Sequence, residues 1–292
     1  MAIINDEYKD RLFSFIFGSG ENRAWTLSLY NAINGTSYTD PEAIEIKTIR
    51  EILYLGMHND VSFQVSEELN LYEQQSTYNP NMPLRQMQYA GNLYEKYLKE
   101  KKLNKYGSTQ IKLPVPKLVT FYNGTREEPD ESILKLSDSF PEGSDPDIEV
   151  SVRMININFG KSEEILDACK PLKEYSWLVA EIRKNAADMR KNHVNDGIEK
   201  AVDMAITVMP DDYVIKPFLE AHRAEVNGML MTEYDEAEAM ELFKEEGREE
   251  GREISLLASI RNLMKTMKLS AEEAMNALLI PDEEKPKYLA KL

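Results

Sequence analysis

Three features of the chain predict an α/β fold with a helical C-terminal extension. Val61, Phe63 and Val65 alternate with Ser62, Gln64 and Ser66, the two-residue period of a half-buried strand. Val115 to Tyr122 is a short apolar run closed by Asn123-Gly124, which reads as a second, buried strand. The segments around these strands, and most of the chain beyond residue 161, have helical apolar spacing instead.

Residues 5–17 predict an amphipathic helix that Asn5 or Asp6 caps and Gly18 stops, with Tyr8, Leu12, Phe13, Phe15 and Ile16 making its apolar contacts. A second helix spans 23–34 and ends at Asn34-Gly35. The isoleucines and leucines of 44–55 predict a strand that leads into a β-hairpin over 59–77, with its turn at Glu67–Glu68. After the turn at 79–83, Asn81 caps a helix running to about Lys102 with Pro83 in its first turn. Residues 126–147 are rich in Glu, Asp, Ser and Pro and read as a surface loop. Val150 to Ile157 marks another strand, and Gly160 ends it. Helices follow at roughly 161–169, 174–191, 196–209 and 212–227, with Pro217 in the first turn of the last or kinking it. Residues 233–267 predict a long charged helix. A turn at Lys268-Leu269, a helix at 270–279, a turn at Pro281 and a short helix complete the tail. The chain thus divides into 1–228 and 229–292.

Composition narrows the function classes. With 42% apolar and 29% charged residues, 292 residues suffice for a full globular core. The sequence has no uninterrupted apolar stretch of the ~18 residues that would suggest a membrane span, so no membrane partner is expected. Charges begin at Asp6, so no signal peptide is expected, and Cys169 is the only cysteine. A reducing, cytoplasmic setting fits. The net charge of −16 speaks against nucleic acid until it is divided. Residues 1–125 carry 13 Lys+Arg against 14 Asp+Glu, whereas 126–292 carry 22 against 37. Between 96 and 117 stand seven lysines and one acid, Glu100. Such a segment either tracks a phosphate backbone or is a solvated helix end.

The hairpin supplies the candidate chemistry. With the turn at Glu67–Glu68, residue 60 faces 75 and residue 62 faces 73. Alternation then puts Asp60, Glu73 and Gln75 on one side. Two carboxylates and an amide suit a hard cation such as Mg²⁺. Two acids at this spacing alone are more often strand ends facing water, so the flanking text must decide.

That text resembles the PD-(D/E)xK nuclease superfamily, in which an Asp heads one strand and an acid in the next shares a metal with it. A Lys two residues later normally assists the attacking water, and here that position holds Gln75. The departure is similar to the Rpn-type recombination-promoting nucleases, also labelled transposases, whose motif runs E-x-Q-S; this chain has Glu73-Gln74-Gln75-Ser76. Matching segments are K-D-R-L-F-S-F-I-F-G (9–18), S-L-Y-N-A-I-N-G-T-S-Y-T-D-P (28–41), N-P-N-M-P-L-R (79–85), Y-E-K-Y-L (94–98), F-Y-N-G-T (121–125) and D-D-Y-V-I-K-P-F-L-E-A-H-R-A-E-V (211–226).

The resemblance implies a restriction-endonuclease-like core and a Mg²⁺-dependent DNA endonuclease. Asp60 and Glu73 would bind the metal, with the Gln74 carbonyl and Asp10 as further ligands. Gln75 would orient water but brings no positive charge. Arg85 is the expected substitute and phosphate contact, with Lys101, Lys102 and Lys105 beyond it. Each also has a plainer reading: Asp10 a local ion pair, Arg85 a surface arginine, Tyr89 core packing. The tandem E-E-G-R repeat at 245–252 leaves Gly247 and Gly251 as either a helix-contact stripe or a spacer, and a homodimer through the C-terminal helices is expected. The alternative function is a catalytically weak DNA-binding or oligomeric interaction protein of the same fold.

Overall fold

Six strands form one mixed sheet in the order β1-β2-β3-β4-β6-β5. They are β1 (Glu45–Ile46), β2 (Val61–Val65), β3 (Glu68–Gln75), β4 (Val115–Tyr122), β5 (Glu131–Lys135) and β6 (Ser151–Asn156). The computed structural model describes residues 12–46, 61–65, 67–191, 197–228, 251–252, 255–281 and 285–289. Its two compact units are Met1–Tyr234 and Asp235–Leu292.

β3, β4 and β6 run parallel, while β1, β2 and β5 are antiparallel to their neighbours. The α/β class follows from the covering of both faces. Helix α1 (Leu12–Phe17), α2 (Arg23–Asn34), α4 (Glu163–Ala168), α5 (Lys170–Lys191) and α6 (Gly197–Val208) join Val61, Phe63, Tyr72, Val119, Phe121 and Ile155 in the larger apolar core. Helix α3 (Met82–Glu100) packs on the opposite face, where Tyr89, Ala90 and Leu93 meet Leu69 and Leu71. Strand alternation therefore sends Leu69, Leu71, Glu73 and Gln75 towards α3, and Asn70, Tyr72 and Gln74 away from it.

Chain punctuation sets several boundaries. Helix α2 ends where Gly35 takes a left-handed conformation, φ 63°, and its N–H returns to the Asn31 carbonyl. Asn81 holds the cap position of α3 but makes no side-chain capping bond; Asn79 Oδ1 accepts from the Asn81 N–H instead, at 2.9 Å. Helix α5 starts at Lys170 rather than near 174, because Pro171 is tolerated in a first turn. The span 212–227 divides at His222 into α7 (Lys216–Ala221) and a second helical stretch, 223–228. The buried Glu174 carboxylate accepts the Val214 and Ile215 N–H groups, each at 3.0 Å, just ahead of α7.

Two expectations need correction. Residues 126–147 are not all loop, since β5 lies within them. Only Leu134 of that strand is buried, and its Glu131 grips Arg153 of β6 through two bonds of 2.9 Å, so an edge strand looks polar in sequence. The hairpin register is also shifted by two residues. Val61 pairs with Tyr72, Ser62 with Leu71 and Val65 with Glu68, so residue 62 does not face 73 and Glu68 is not in the turn. Glu68 belongs to the strand because Tyr30 donates to its carboxylate at 2.9 Å and Lys117 approaches it at 3.3 Å. A two-residue shift keeps every side chain on its face, so Ser62, Glu73 and Gln75 still share one side.

In the second unit, Ile260, Ala274, Met275, Ile280 and Tyr288 form a small core of their own. Ser270 and Glu273 make a capping box at the start of the helix Ala271–Ala277. Residues 255–267 are helical; Glu245, Gly247, Arg248 and Glu249 lie outside the described residues, and Gly251 is exposed. Among the described residues no helix is long and apolar enough to cross a membrane.

Candidate metal and nucleic-acid site

At the carboxyl end of β3, Glu73, Gln75 and Arg85 meet. The strand fixes the first two on the α3 side, and α3 returns Arg85 over them from its first turns. Glu73 is 2% exposed and Gln75 6%. Arg85 donates from one terminal nitrogen to Glu73 Oε1 at 2.6 Å, and its other terminal nitrogen lies 3.5 Å from Gln75 Oε1. Gln75 Nε2 donates to the same Glu73 oxygen at 3.1 Å. One carboxylate oxygen thus accepts from a guanidinium and an amide together, and the local charge is close to balanced.

Tyr89 holds the arginine. It lies one turn along α3, and its hydroxyl accepts from Arg85 at 3.1 and 3.3 Å while its ring is buried against Leu69, Leu71 and Leu93. Core packing and orientation of Arg85 are therefore one role. The Arg85 side chain keeps about a third of its surface open to solvent, whereas Glu73 keeps 3%. Of this ion pair the arginine is the member open to solvent.

Gln74 faces the other way. Its Nε2 donates to Asn123 Oδ1 at 2.7 Å, and Asn123 Nδ2 donates to the Tyr175 hydroxyl at 3.3 Å. Arg183 of α5 donates to the Asn123 carbonyl and, at 3.0 Å, to Asn158 Oδ1. This buried polar chain ties the ends of β3, β4 and β6 together. Gly124 completes the edge: a Cβ there would lie 2.5 Å from the Ser76 carbonyl and 2.5 Å from the Tyr122 hydroxyl. Asn123 is legible only as strand punctuation, because its side-chain partners Gln74 and Tyr175 stand 49 and 52 residues away in the chain. Gln86, likewise unforeseen, is buried on α3 and donates to the Val119 carbonyl at 3.0 Å and to Thr120 Oγ1 at 3.2 Å. Thr120 is the β4 partner of Glu73, so this contact seats α3 directly beside the group.

The lysines do not join it. Lys101 and Lys102 lie just past the end of α3, about 24 Å from Arg85 at the helical rise per residue. Lys102 is left-handed, φ 54°. Lys105 is ion-paired with Glu95, whose hydrogen bond raises the lysine's pKa and lowers the glutamate's. Lys99, Lys101, Lys102 and Lys112 are exposed and form no ion pair among the described residues. Asp60 and Asp10 lie outside the described residues, as do His58 and His193. His222 packs edge-on against Phe15, in keeping with a structural role. Among the described residues no group of three His, Cys, Asp or Glu side chains is assembled for a metal. No protein-family model matches the chain, and neither does any curated protein or solved structure.

Proposed function

We propose that the chain is a divalent-cation-dependent DNA endonuclease with a restriction-endonuclease-like core. The observation that carries the reading is the meeting of Glu73, Gln75 and Arg85 at the end of β3. The parallel strands β3, β4 and β6 all finish along that edge, the side of an open α/β sheet where ligands bind. The donor set fits a hard cation in kind, since it offers carboxylate and amide oxygens. Glu73 also already holds a positive group at 2.6 Å.

Glu73 and Asp60 would hold Mg²⁺, with the Gln74 main-chain carbonyl and Asp10 as further oxygens. When bound, the ion would lower the pKa of a coordinated water and offset charge on the scissile phosphate. Gln75 both donates and accepts, so it would align the attacking water. Arg85 would meet phosphate oxygens through its open edge, supplying the positive charge that Gln75 lacks. The reading requires position 60 to stand opposite Glu73, one step beyond the Val61–Tyr72 pair.

Plasmid nicking by the full chain, with and without Mg²⁺, is the test. Nicking should need the ion and disappear in Asp60→Ala and Glu73→Ala, should slow in Gln75→Ala, and should persist in Gln75→Lys. Cleavage by both carboxylate variants at the wild-type rate would reject the assignment. A second reading, a DNA-binding or oligomeric protein with weak catalysis, draws on the same ion pair, because Arg85 already neutralises Glu73. A folded chain that binds DNA but never nicks it supports that reading.

The proposal includes self-association through residues 229–292. The second unit has its own core yet exposes Met267 and Leu279. Two copies would serve the two strands of a duplex. Light scattering should give a dimer for the full chain and a monomer once 229–292 are deleted; a full-length monomer at micromolar concentration refutes this part.

A further inference from the structure

The link from α3 to β4, residues 101–114, carries Lys101, Lys102, Lys105 and Lys112 and no acid. It is a built loop. Leu103 and Lys102 return N–H bonds to the carbonyls of Leu98 and Lys99, at 2.9 and 3.2 Å, closing the helix. The Tyr94 hydroxyl donates to the Pro114 carbonyl at 2.9 Å and pins the far end. Between these anchors Asn104 forms a tight turn: its Oδ1 accepts from the Tyr106 N–H at 3.0 Å and its carbonyl from the Gly107 N–H at 3.1 Å.

That turn throws the Tyr106 side chain outward. It is 88% exposed, with Lys105 Nζ 5.6 Å from its ring centroid. Beside it lies a surface hollow of about 410 Å³ whose walls include Leu98, Ile111 and Leu113. A flat aromatic face, apolar side chains in the hollow and further lysines on the same loop match one chemistry: unstacked bases on a phosphate chain. A duplex hides its base faces and offers Tyr106 nothing to stack on.

We infer that loop 101–114 anchors an unpaired stretch of nucleic acid, with a base stacked on Tyr106 and phosphates on Lys101, Lys102 and Lys112. The inference takes the polyanion's identity from the nuclease reading and adds a place and a strand state. β3 and β4 are parallel and Glu68 pairs with Val115, so the loop enters at the end of the sheet away from Glu73. Five residues of strand separate those ends, about 17 Å. The anchored base therefore lies more than one nucleotide from any phosphate at Glu73.

Anisotropy of the full chain with a labelled thymidine oligomer of about twelve nucleotides, the matching duplex and inorganic polyphosphate tests it, all in chelator so that no cleavage intervenes. Tyr106→Ala should weaken the single strand about tenfold and leave polyphosphate unchanged, while Tyr106→Phe binds as wild type. Replacing Lys101, Lys102 and Lys112 by Gln should lower the salt slope for the oligomer by about two. Unchanged oligomer binding by Tyr106→Ala, equal loss of polyphosphate, or a duplex preferred over the single strand overturns the anchor. Mg²⁺-dependent nicking together with Tyr106-independent binding rejects the anchor alone. Tyr106-dependent binding without nicking upholds the anchor and rejects the nuclease.

Discussion

Arg85→Ala is the perturbation whose outcome the site geometry most nearly fixes. The wild-type contact is a 2.6 Å charge-assisted bond to a carboxylate whose side chain is 3% exposed. Breaking one side of a buried ion pair costs about 3–5 kcal/mol, since the remaining charge stays desolvated. Arg85 is 32% exposed, so water will enter the space it leaves and relieve part of that cost. A loss of about 2 kcal/mol is the working value, and in a unit of this size it lowers Tm by about 4–8 °C. Arg85→Lys keeps the charge but loses the fork that spans Glu73, Gln75 and Tyr89, so it should fall between the two. Thermal unfolding in chelator, then in Mg²⁺, separates the pair from the metal. On the proposed reading a divalent ion would neutralise the same Glu73 charge as the guanidinium, so Mg²⁺ should stabilise Arg85→Ala more than wild type. Wild-type stability of Arg85→Ala in chelator would refute the account of the pair. An identical Mg²⁺ increment in both proteins would refute the competition.

Three further outcomes can be stated briefly. Lys102→Gly should stabilise the fold by about 1 kcal/mol, because a lysine in the left-handed region carries a cost that glycine does not; denaturant titration checks it, and a destabilised variant contradicts the reading of that helix end. Gly124→Ala should cost about 1–3 kcal/mol, since its methyl meets the Ser76 carbonyl and cannot be accommodated by a side-chain rotation alone; an unchanged unfolding midpoint would show that the strand ends are not in contact. Burial pushes the Cys169 thiol up to about 11, against an ordinary 9.0, although a bond from Ser28 opposes the shift. The neutral thiol's contribution is complete below pH 9 and is lost as pH rises towards 11, on the order of 2 kcal/mol. The stability gap between wild type and Cys169→Ala should narrow across that window, and a constant gap counts against the burial of the thiol.

The fold was legible where the chain punctuates itself. Gly35 and Asn123 stand at ends that the spacing alone predicts, and α2 and β4 occupy the spans read from their residues, whereas β6 stops at Asn156, short of Gly160. β5 was invisible because an edge strand needs only one inward residue, Leu134, and one good cross-strand pair, Glu131–Arg153. The hairpin register slipped because Glu68 looks like a turn residue until Tyr30 and Lys117 are seen on it. The face of Glu73 and Gln75 survived that slip, since a two-residue shift preserves parity. Arg85 could be named as a cation near the motif, but its seat on Glu73 depends on how α3 crosses the sheet, which no local pattern records.

The lysines show the converse error, and its reason bears on function. Residues 96–117 follow the motif closely in sequence, which suggested one continuous surface. A helix of 19 residues intervenes, however, and at about 1.5 Å per residue it carries its last turn well away from its first. Positive charge is thus held in two places, to which the proposed function gives different jobs. Arg85 is partly sheltered, tied to Glu73 and oriented by Tyr89, as a group must be if it is to act on one phosphate. Lys101, Lys102 and Lys112 are exposed on a loop, where charges set affinity and salt dependence but not register. Neutralising the loop should therefore move the binding constant and leave the metal response of Glu73 unchanged, whereas Arg85→Ala should alter that response and barely touch the salt slope. If the two sets of variants have the same effects, the separation along α3 has no functional meaning.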